Sequence, residues 1–427
     1  MQNTLEINPQ SGDIAKGNFR GISNFRLLGF LSSSSIAMYA AFQGIQQILI
    51  PAQVAAVDPA HKIENLALLT TFTAIVAVLA LLMGGTLSDR TTGRFGRRAP
   101  WLVLSSLFSA VLFVVLGMSA SLVAIGVAYA SLWFGLNFFQ AALTAILPDR
   151  VPLSARGTAS AVIGLGTPLG IIVGVNYVAR VPQIAGYAGL ALLLVVSTLA
   201  LVIFAPEGPF LKTSQHAPVP SKAAWHVRTL AIFSGFRHRD FTFAFVSRAL
   251  MFLGIFTVTG YAFYILQDYI GVRNLPGNDP AIAVSVLGSL QVVAWVISVP
   301  IAGWLADKFD SRKKVVGFSS LGMVVTMSIP VLFPTWYGMI AFFVFTGIFF
   351  GAYMAVDLAL MSLVLPDKSS EGRDMAVLAV ATAGPQIVSP IIAGAIITHW
   401  GYDQLFFFGA LASLAGGLLV FMIRRVR

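Results

Sequence analysis

Of the 17 acidic residues in this chain, Asp357 alone lies deep inside an apolar stretch, nine positions before Pro366. Arg248 is the one basic residue in such a stretch. A charge at membrane depth is costly, and it serves proton or ion handling or the recognition of a counter-charge. Opposite charges at similar depth invite a pair, which offsets the burial cost. Release of a proton from Asp357 would leave a carboxylate free to pair with Arg248. The alternative is a permanently ionised brace within the second half of the chain. Regular helical geometry puts Arg248 on the face opposite Tyr261, a conflict that bending at Gly254 and Gly260 would remove.

Uncharged polar residues recur at helical spacing in the same kind of stretch. Tyr39, Gln43, Gln46 and Gln47 share one face, as do Trp133, Asn137, Gln140 and Thr144. Further along come Tyr261, Tyr264 and Asp268, then Gln291 and Trp295 one turn apart, then Gln386 beside Pro385. Amides exchange hydrogen bonds with hydroxyls, and aromatic rings stack on the apolar face of a pyranose. The set therefore suits a sugar-like small molecule in a polar cavity. The competing reading is helix glue, each such hydrogen bond being worth roughly 0.6 kcal/mol; Asn176 is read that way.

The elements that position these residues are membrane helices. The chain has 427 residues, 57% hydrophobic and only 10% charged, with a mean hydropathy of +0.84. Continuous apolar runs of this length cross about 30 Å of hydrocarbon, and they lack the alternation of a membrane barrel. Spans are expected at 27–54, 66–87, 100–118, 122–146, 159–179 and 186–204, then at 241–269, 281–306, 315–333, 336–364, 376–398 and 405–422. The fold class is an all-α membrane protein of twelve transmembrane helices in two six-helix bundles. The expected organisation is a tail (1–26), a first bundle (27–204), a polar linker (205–240), a second bundle (241–423) and a short tail (424–427).

The net charge of +10 records orientation. Of 27 Lys and Arg, 23 fall in alternate loops and the termini; Lys62, Arg180 and Arg273 fall in the opposite loops and Arg248 within a span. This is the positive-inside pattern, placing both termini in the cytoplasm and setting nucleic acid aside as a partner. Absence of cysteine excludes disulfides and thiolate metal sites. With a polar N-terminus, no cleaved signal peptide is expected ahead of the first span.

The chain is also a duplication. GGTLSDRTTGRFGRR (84–98) returns as AGWLADKFDSRKK (302–314), so that Gly85, Asp89, Arg90 and Arg94 recur as Gly303, Asp307, Lys308 and Arg312, all displaced by 218 residues. Leu147-Pro148-Asp149-Arg150 recurs as Leu365-Pro366-Asp367-Lys368 at the same displacement. Parallel duplication is a transporter trait. Asp89, Arg90, Arg94, Arg97 and Arg98 crowd the end of the second span, where glycines 84 and 85 admit a close helix. Asp89 is expected to face the positive N-terminal end of the helix starting near Arg373, latching one side shut. Asp307 and Arg312 form the looser copy. The plainer reading is topology and lipid-phosphate binding.

Six plus six spans in parallel repeats resemble the major facilitator superfamily. SDRTTGRFGRRAPW is similar to the corresponding loop of glycoside–pentoside–hexuronide cation symporters and plant sucrose carriers, and LPDRVPLSARGTASA and VLPDKSSEGRDMAV resemble bacterial members of that group. The resemblance implies alternating access, a latching role for the loop, and a cavity lined by the first, fourth, seventh and tenth helices, helped by the second, fifth, eighth and eleventh. It also implies a departure: the paired aspartates of the sodium-linked members fall on Ala77 and Leu81, and their fourth-helix acid on Gln140. Sodium coupling is therefore not expected.

The expectation is a monomeric, multi-pass carrier of the bacterial inner membrane, importing a sugar or glycoside with a proton. It needs no metal or organic cofactor and is not an enzyme; GLGTPLG (164–170) sits in an apolar helix, where its glycines allow bending and packing. The rival readings are an exporter of a drug or secondary metabolite and a nontransporting receptor on a carrier scaffold.

Overall fold

The computed structural model describes residues 22–152, 155–208, 233–309, 312–365 and 371–424. Among them are twelve helices long and apolar enough to cross a membrane, and no strand. We number them α1 (Phe25–Val57), α2 (Lys62–Arg90), α3 (Ala99–Met118), α4 (Leu122–Arg150), α5 (Arg156–Val178), α6 (Gln183–Phe204), α7 (Arg239–Thr259), α8 (Pro280–Lys308), α9 (Arg312–Leu332), α10 (Trp336–Leu363), α11 (Glu371–Trp400) and α12 (Tyr402–Phe421). The chain is thus a multi-pass membrane protein. Most of the polar linker, the first tail up to residue 21 and residues 425–427 lie outside the described residues.

Helices α2 and α8 are copies in length as well as in motif. Both run 29 residues, and both bounds are displaced by 218. At 1.5 Å per residue such a helix reaches about 44 Å, beyond the hydrocarbon and into the headgroup layers. That is why these helices outrun the apolar spans read from sequence. Local signals set the starts: Ser121 Oγ accepts from the Ala124 amide, and Asp279 Oδ1 from the Ala281 amide 2.8 Å away, with Pro280 opening α8.

Two helices depart from α geometry at matching points of the repeat. Ile45–Leu49 of α1 is π-helical, just ahead of Pro51, which has no amide to give the preceding turn. Helix α7 stops at Thr259, Tyr261 takes a non-helical conformation (φ −111°, ψ 14°), and after Ala262–Tyr264 the chain runs as a π-helix from Ile265 to Gly271. The expected single span 241–269 is therefore two segments. Glycines act where helices touch. A Cβ on Gly174 of α5 would sit 2.3 Å from the Ala40 carbonyl oxygen of α1, and one on Gly84 of α2 would sit 3.0 Å from the Phe138 oxygen of α4. A Cβ on Gly85 would meet open space, so only the first of that glycine pair serves close approach.

Helices α1–α6 pack mainly on one another, as do α7–α12; between the sets the principal contacts are α2 with α11 and α5 with α8. We call the end carrying Arg90 to Arg98 and Lys308 the basic end, and the opposite one the far end.

Candidate functional site

The seventh-helix break is what lets two requirements be met at once. Before it, Arg248 points into the second bundle; after it, Tyr261 and Tyr264 point at the first. Arg248 Nη1 lies 2.8 Å from Asp357 Oδ2 of α10, and the Asp357 side chain is 1% exposed. Arg248 Nε donates to Thr382 Oγ1 of α11 at 2.9 Å, so one guanidinium joins α7, α10 and α11. Around it the Phe252 ring lies 5.6 Å from the guanidinium carbon and edge-on to Phe350 and Tyr353, and Phe350 in turn contacts Trp295 of α8. Asp357 Oδ1 and the Tyr353 hydroxyl one turn before it are both buried, and the hydroxyl faces the carboxylate. A buried carboxylate that faces an arginine on one side and a tyrosine hydroxyl on the other can accept a proton without losing every contact.

The first bundle supplies a second polar group. Gln47 Nε2 donates to Gln43 Oε1 at 2.5 Å, both partly buried on α1. Gln47 Oε1 also lies 3.8 Å from where a Cβ of Gly288 would stand, which brings it to α8 of the other bundle. Phe42 meets Trp133 edge-on at 4.9 Å and Tyr39 at 6.4 Å, and Asn137 Nδ2 donates back to the Trp133 carbonyl at 2.8 Å. Gln46 is exposed within the π-helical turn, Gln140 and Gln291 are partly buried, and Gln386 is exposed one turn beyond Thr382. None of these four amides hydrogen-bonds through its side chain among the described residues.

Tyr261 and Tyr264 stand elsewhere. Both are fully buried; Tyr261 donates to the Pro390 carbonyl at 3.0 Å and is 3.3 Å from that of Ile63, and Tyr264 donates to Pro51 at 3.0 Å. They plug the far end between the bundles instead of lining a hollow, because the break after Thr259 turns the segment towards α1 and α2. Sequence reading missed the rest of this closure. Lys62 Nζ binds Asp268 Oδ1 at 2.7 Å and Gln267 at 3.0 Å and lies over the Tyr264 ring, while Tyr402 donates to Asp268 Oδ2 at 2.8 Å. Thr398 donates to Glu64, and Asn176 Nδ2 donates to Ser289 Oγ at 2.7 Å, so Asn176 is glue across the two bundles. Lys62 and Asp268 are 206 residues apart, and no local pattern announces such a pair.

At the basic end the repeated loop folds upon its own bundle. Arg98 is buried and central: it reaches Asp89 at 2.6 Å, Asp149 at 2.9 Å and the Ser88 hydroxyl, while its amide donates to Glu207 at 2.7 Å. Arg97 also binds Asp89, at 2.5 Å. Arg90 and Arg94 are exposed, Arg94 lying over the Phe95 ring. Asp89 thus holds arginines of its own half; the Arg373 side chain lies outside the described residues. In the second half Asp307 and Arg312 approach only to 3.7 Å, both well exposed, a contact worth little in stability.

Residues 277–427 match the Major Facilitator Superfamily. The fold is similar to that of the POT family transporter PepTSo, with a TM-score of 0.67 at 11% identity over 93% of this chain and 97% of that one. It is also similar to a bacterial homolog of the human lysosomal transporter Spinster, solved inward-facing and unoccupied, with a TM-score of 0.60 at 13% identity over 95% of each chain. Among curated proteins the chain is 26% identical over 182 residues to "Glucose transporter GlcP" of Staphylococcus epidermidis (strain ATCC 12228 / FDA PCI 1200). That match spans 38% of this chain and 41% of the relative. The last third of the chain thus matches the Major Facilitator Superfamily, and the fold of the whole is that of the two solved transporters.

Proposed function

We propose that the chain is a secondary transporter that moves a sugar or glycoside inward by alternating access, with a proton as the coupling ion. The observation that carries this reading is the Arg248–Asp357 pair, buried within the second bundle and tied through Thr382 to α11, a helix that also meets α2 of the first bundle. Ionised Asp357 holds Arg248; protonated Asp357 releases it, and the tie among α7, α10 and α11 loosens. A change of charge at one carboxyl is thereby felt at the contact between bundles.

Two further observations support the reading. The cross-bundle polar contacts of Lys62, Tyr261 (to the Ile63 carbonyl), Tyr264, Thr398 and Asn176 all sit at the far end, which suits a carrier closed there and awaiting cargo from the basic end. With the positive-inside charge distribution, the basic end is cytoplasmic and the state is inward-facing. The amides and rings of α1 and α4 suit a polyhydroxylated cargo, in keeping with the likeness to a glucose transporter over part of the chain. Sodium is not the coupling ion in this reading, since Gln140 is an amide and Ala77 and Leu81 carry no carboxylate.

The test is uptake of radiolabelled glucose, xylose and methyl glucosides by purified protein in liposomes under an imposed pH gradient. Accumulation above the external concentration, abolished by a protonophore, is expected for at least one sugar. Folded protein that exchanges none of them overturns the sugar assignment, and accumulation that persists without a gradient overturns the coupling.

A further inference from the structure

A groove on the second bundle stands apart from the polar residues described above. Helices α8 and α9 follow one another in sequence yet touch little; α10 lies behind both and forms a floor. The floor approaches closely because Gly347 and Gly351 lack side chains: a Cβ there would lie 2.4 Å from the Gln291 carbonyl oxygen and 2.8 Å from the Trp295 ring. What is left open between α8 and α9 is a space of about 580 Å³. Its sides are Ile301, Leu305 and Phe309 from α8 and its end, and Phe318 from α9, over Phe349 of the floor. Ile301, Phe309 and Phe318 are each more than half exposed, so no other part of the described chain covers them.

The lining becomes charged at the basic end only, where Lys314 lines the groove. Lys308 stands at the same end, its ammonium 4.6 Å from the Trp304 ring and 5.7 Å from that of Phe309. The neighbouring cations are engaged: Arg312 faces Asp307 at 3.7 Å, and Lys313 Nζ donates to the Ile423 carbonyl at 2.5 Å. Lys308 and Lys314 form no ion pair among the described residues. An apolar trench open to the bilayer, ending in two such ammonium groups at headgroup level, matches hydrocarbon joined to an anion.

We propose that this groove binds an anionic phospholipid, one acyl chain lying between α8 and α9 and its phosphate held by Lys308 and Lys314. Free phosphate shares the headgroup chemistry, but it would leave the apolar trench unfilled. The proposal rests on the membrane-spanning fold and stands whether or not the transport reading holds.

Native mass spectrometry of the purified protein, with palmitoyl-oleoyl phosphatidylglycerol, the matching phosphatidylcholine and soluble glycerol 3-phosphate as probes, tests it. Phosphatidylglycerol should be retained over phosphatidylcholine by about fivefold for each lysine involved. The double variant K308Q/K314Q should bring the two lipids level. Ile301→Trp, which fills the trench and leaves both charges, should weaken both lipids together. Unfolding temperature, measured alongside, should be unchanged in lipid-free detergent for both variants. Equal retention of the two lipids by wild type, or undiminished preference in K308Q/K314Q, overturns the proposal. Binding of glycerol 3-phosphate as tight as that of phosphatidylglycerol also overturns it, in favour of a free-phosphate site.

Discussion

Arg248 Nη1 and Asp357 Oδ2 lie 2.8 Å apart, and the two side chains are 14% and 1% exposed. A pair so buried is worth less than its Coulomb attraction suggests, yet removing one partner strands the other. Arg248→Ala should therefore destabilise the protein by roughly 3–5 kcal/mol, while Arg248→Gln combined with Asp357→Asn should recover most of that loss. Thermal unfolding of the two singles and the double in detergent measures the coupling directly.

Charge at Asp357 also separates a coupling group from a brace. Asp357→Asn should retain exchange of labelled for unlabelled sugar across the liposome membrane and lose accumulation driven by a pH gradient. A brace predicts the opposite, with uphill transport surviving in whatever fraction of the variant folds.

Far-end closure rests on contacts that are partly hydrated. Lys62 and Asp268 are 14% and 31% exposed, so their pair should contribute only about 0.5–1 kcal/mol. Lys62→Gln should shift the balance towards far-end opening by about two- to fivefold. The natural chain has no cysteine, so Gln47→Cys gives a single thiol. Its labelling by a membrane-impermeant reagent from the far side should speed up by that factor when Lys62→Gln is added.

Packing between α1 and α5 depends on absent side chains. Gly174→Val sets a Cβ against the Ala40 carbonyl at 2.3 Å and Gly170→Val one against the Tyr39 Cβ at 2.5 Å, so each should cost about 1–3 kcal/mol or more. Gly164→Ala meets open space and should fall within about 0.5 kcal/mol of wild type. Melting temperatures of the three variants decide the matter.

Within the repeated loop the arginines should differ sharply. Arg98 is buried among Asp89, Asp149 and Ser88, so Arg98→Ala should cost roughly 3–5 kcal/mol. Arg94 is exposed, and Arg94→Ala should change stability by less than about 0.5 kcal/mol. Expression in the membrane and unfolding temperature report both.

Much of this architecture is legible in the sequence because lipid enforces a simple code. Apolar length gives the twelve helices, and the shared 218-residue displacement identifies α2 and α8 as copies. Asp357 and Arg248 are legible as partners because charge within a span is rare enough to be matched by depth alone. What escapes is geometry set by tertiary contact. Bending at Gly260 is suggested by the opposed faces of Arg248 and Tyr261, but nothing local shows that the break sends Tyr261 and Tyr264 to the far-end plug. Lys62 reads as a stray positive charge on the wrong side until Asp268 and Tyr402 are seen around it. Arg94 and Arg98 look alike in the loop; only the carboxylates of Asp89 and Asp149 on its guanidinium and that of Glu207 on its backbone amide single out Arg98.

The central claim is that the two bundles rock so that one end opens as the other closes. Spin labels at Ala60 and Arg273 report the far end, and labels at Thr158 and Val380 the basic end; pulsed electron resonance gives both distance distributions in liposomes. The account predicts a short far-end and a long basic-end distance in the resting state, with both populations moving in opposite senses when a transported sugar or low pH is supplied. Single, unmoving distributions at both ends under every condition would contradict it.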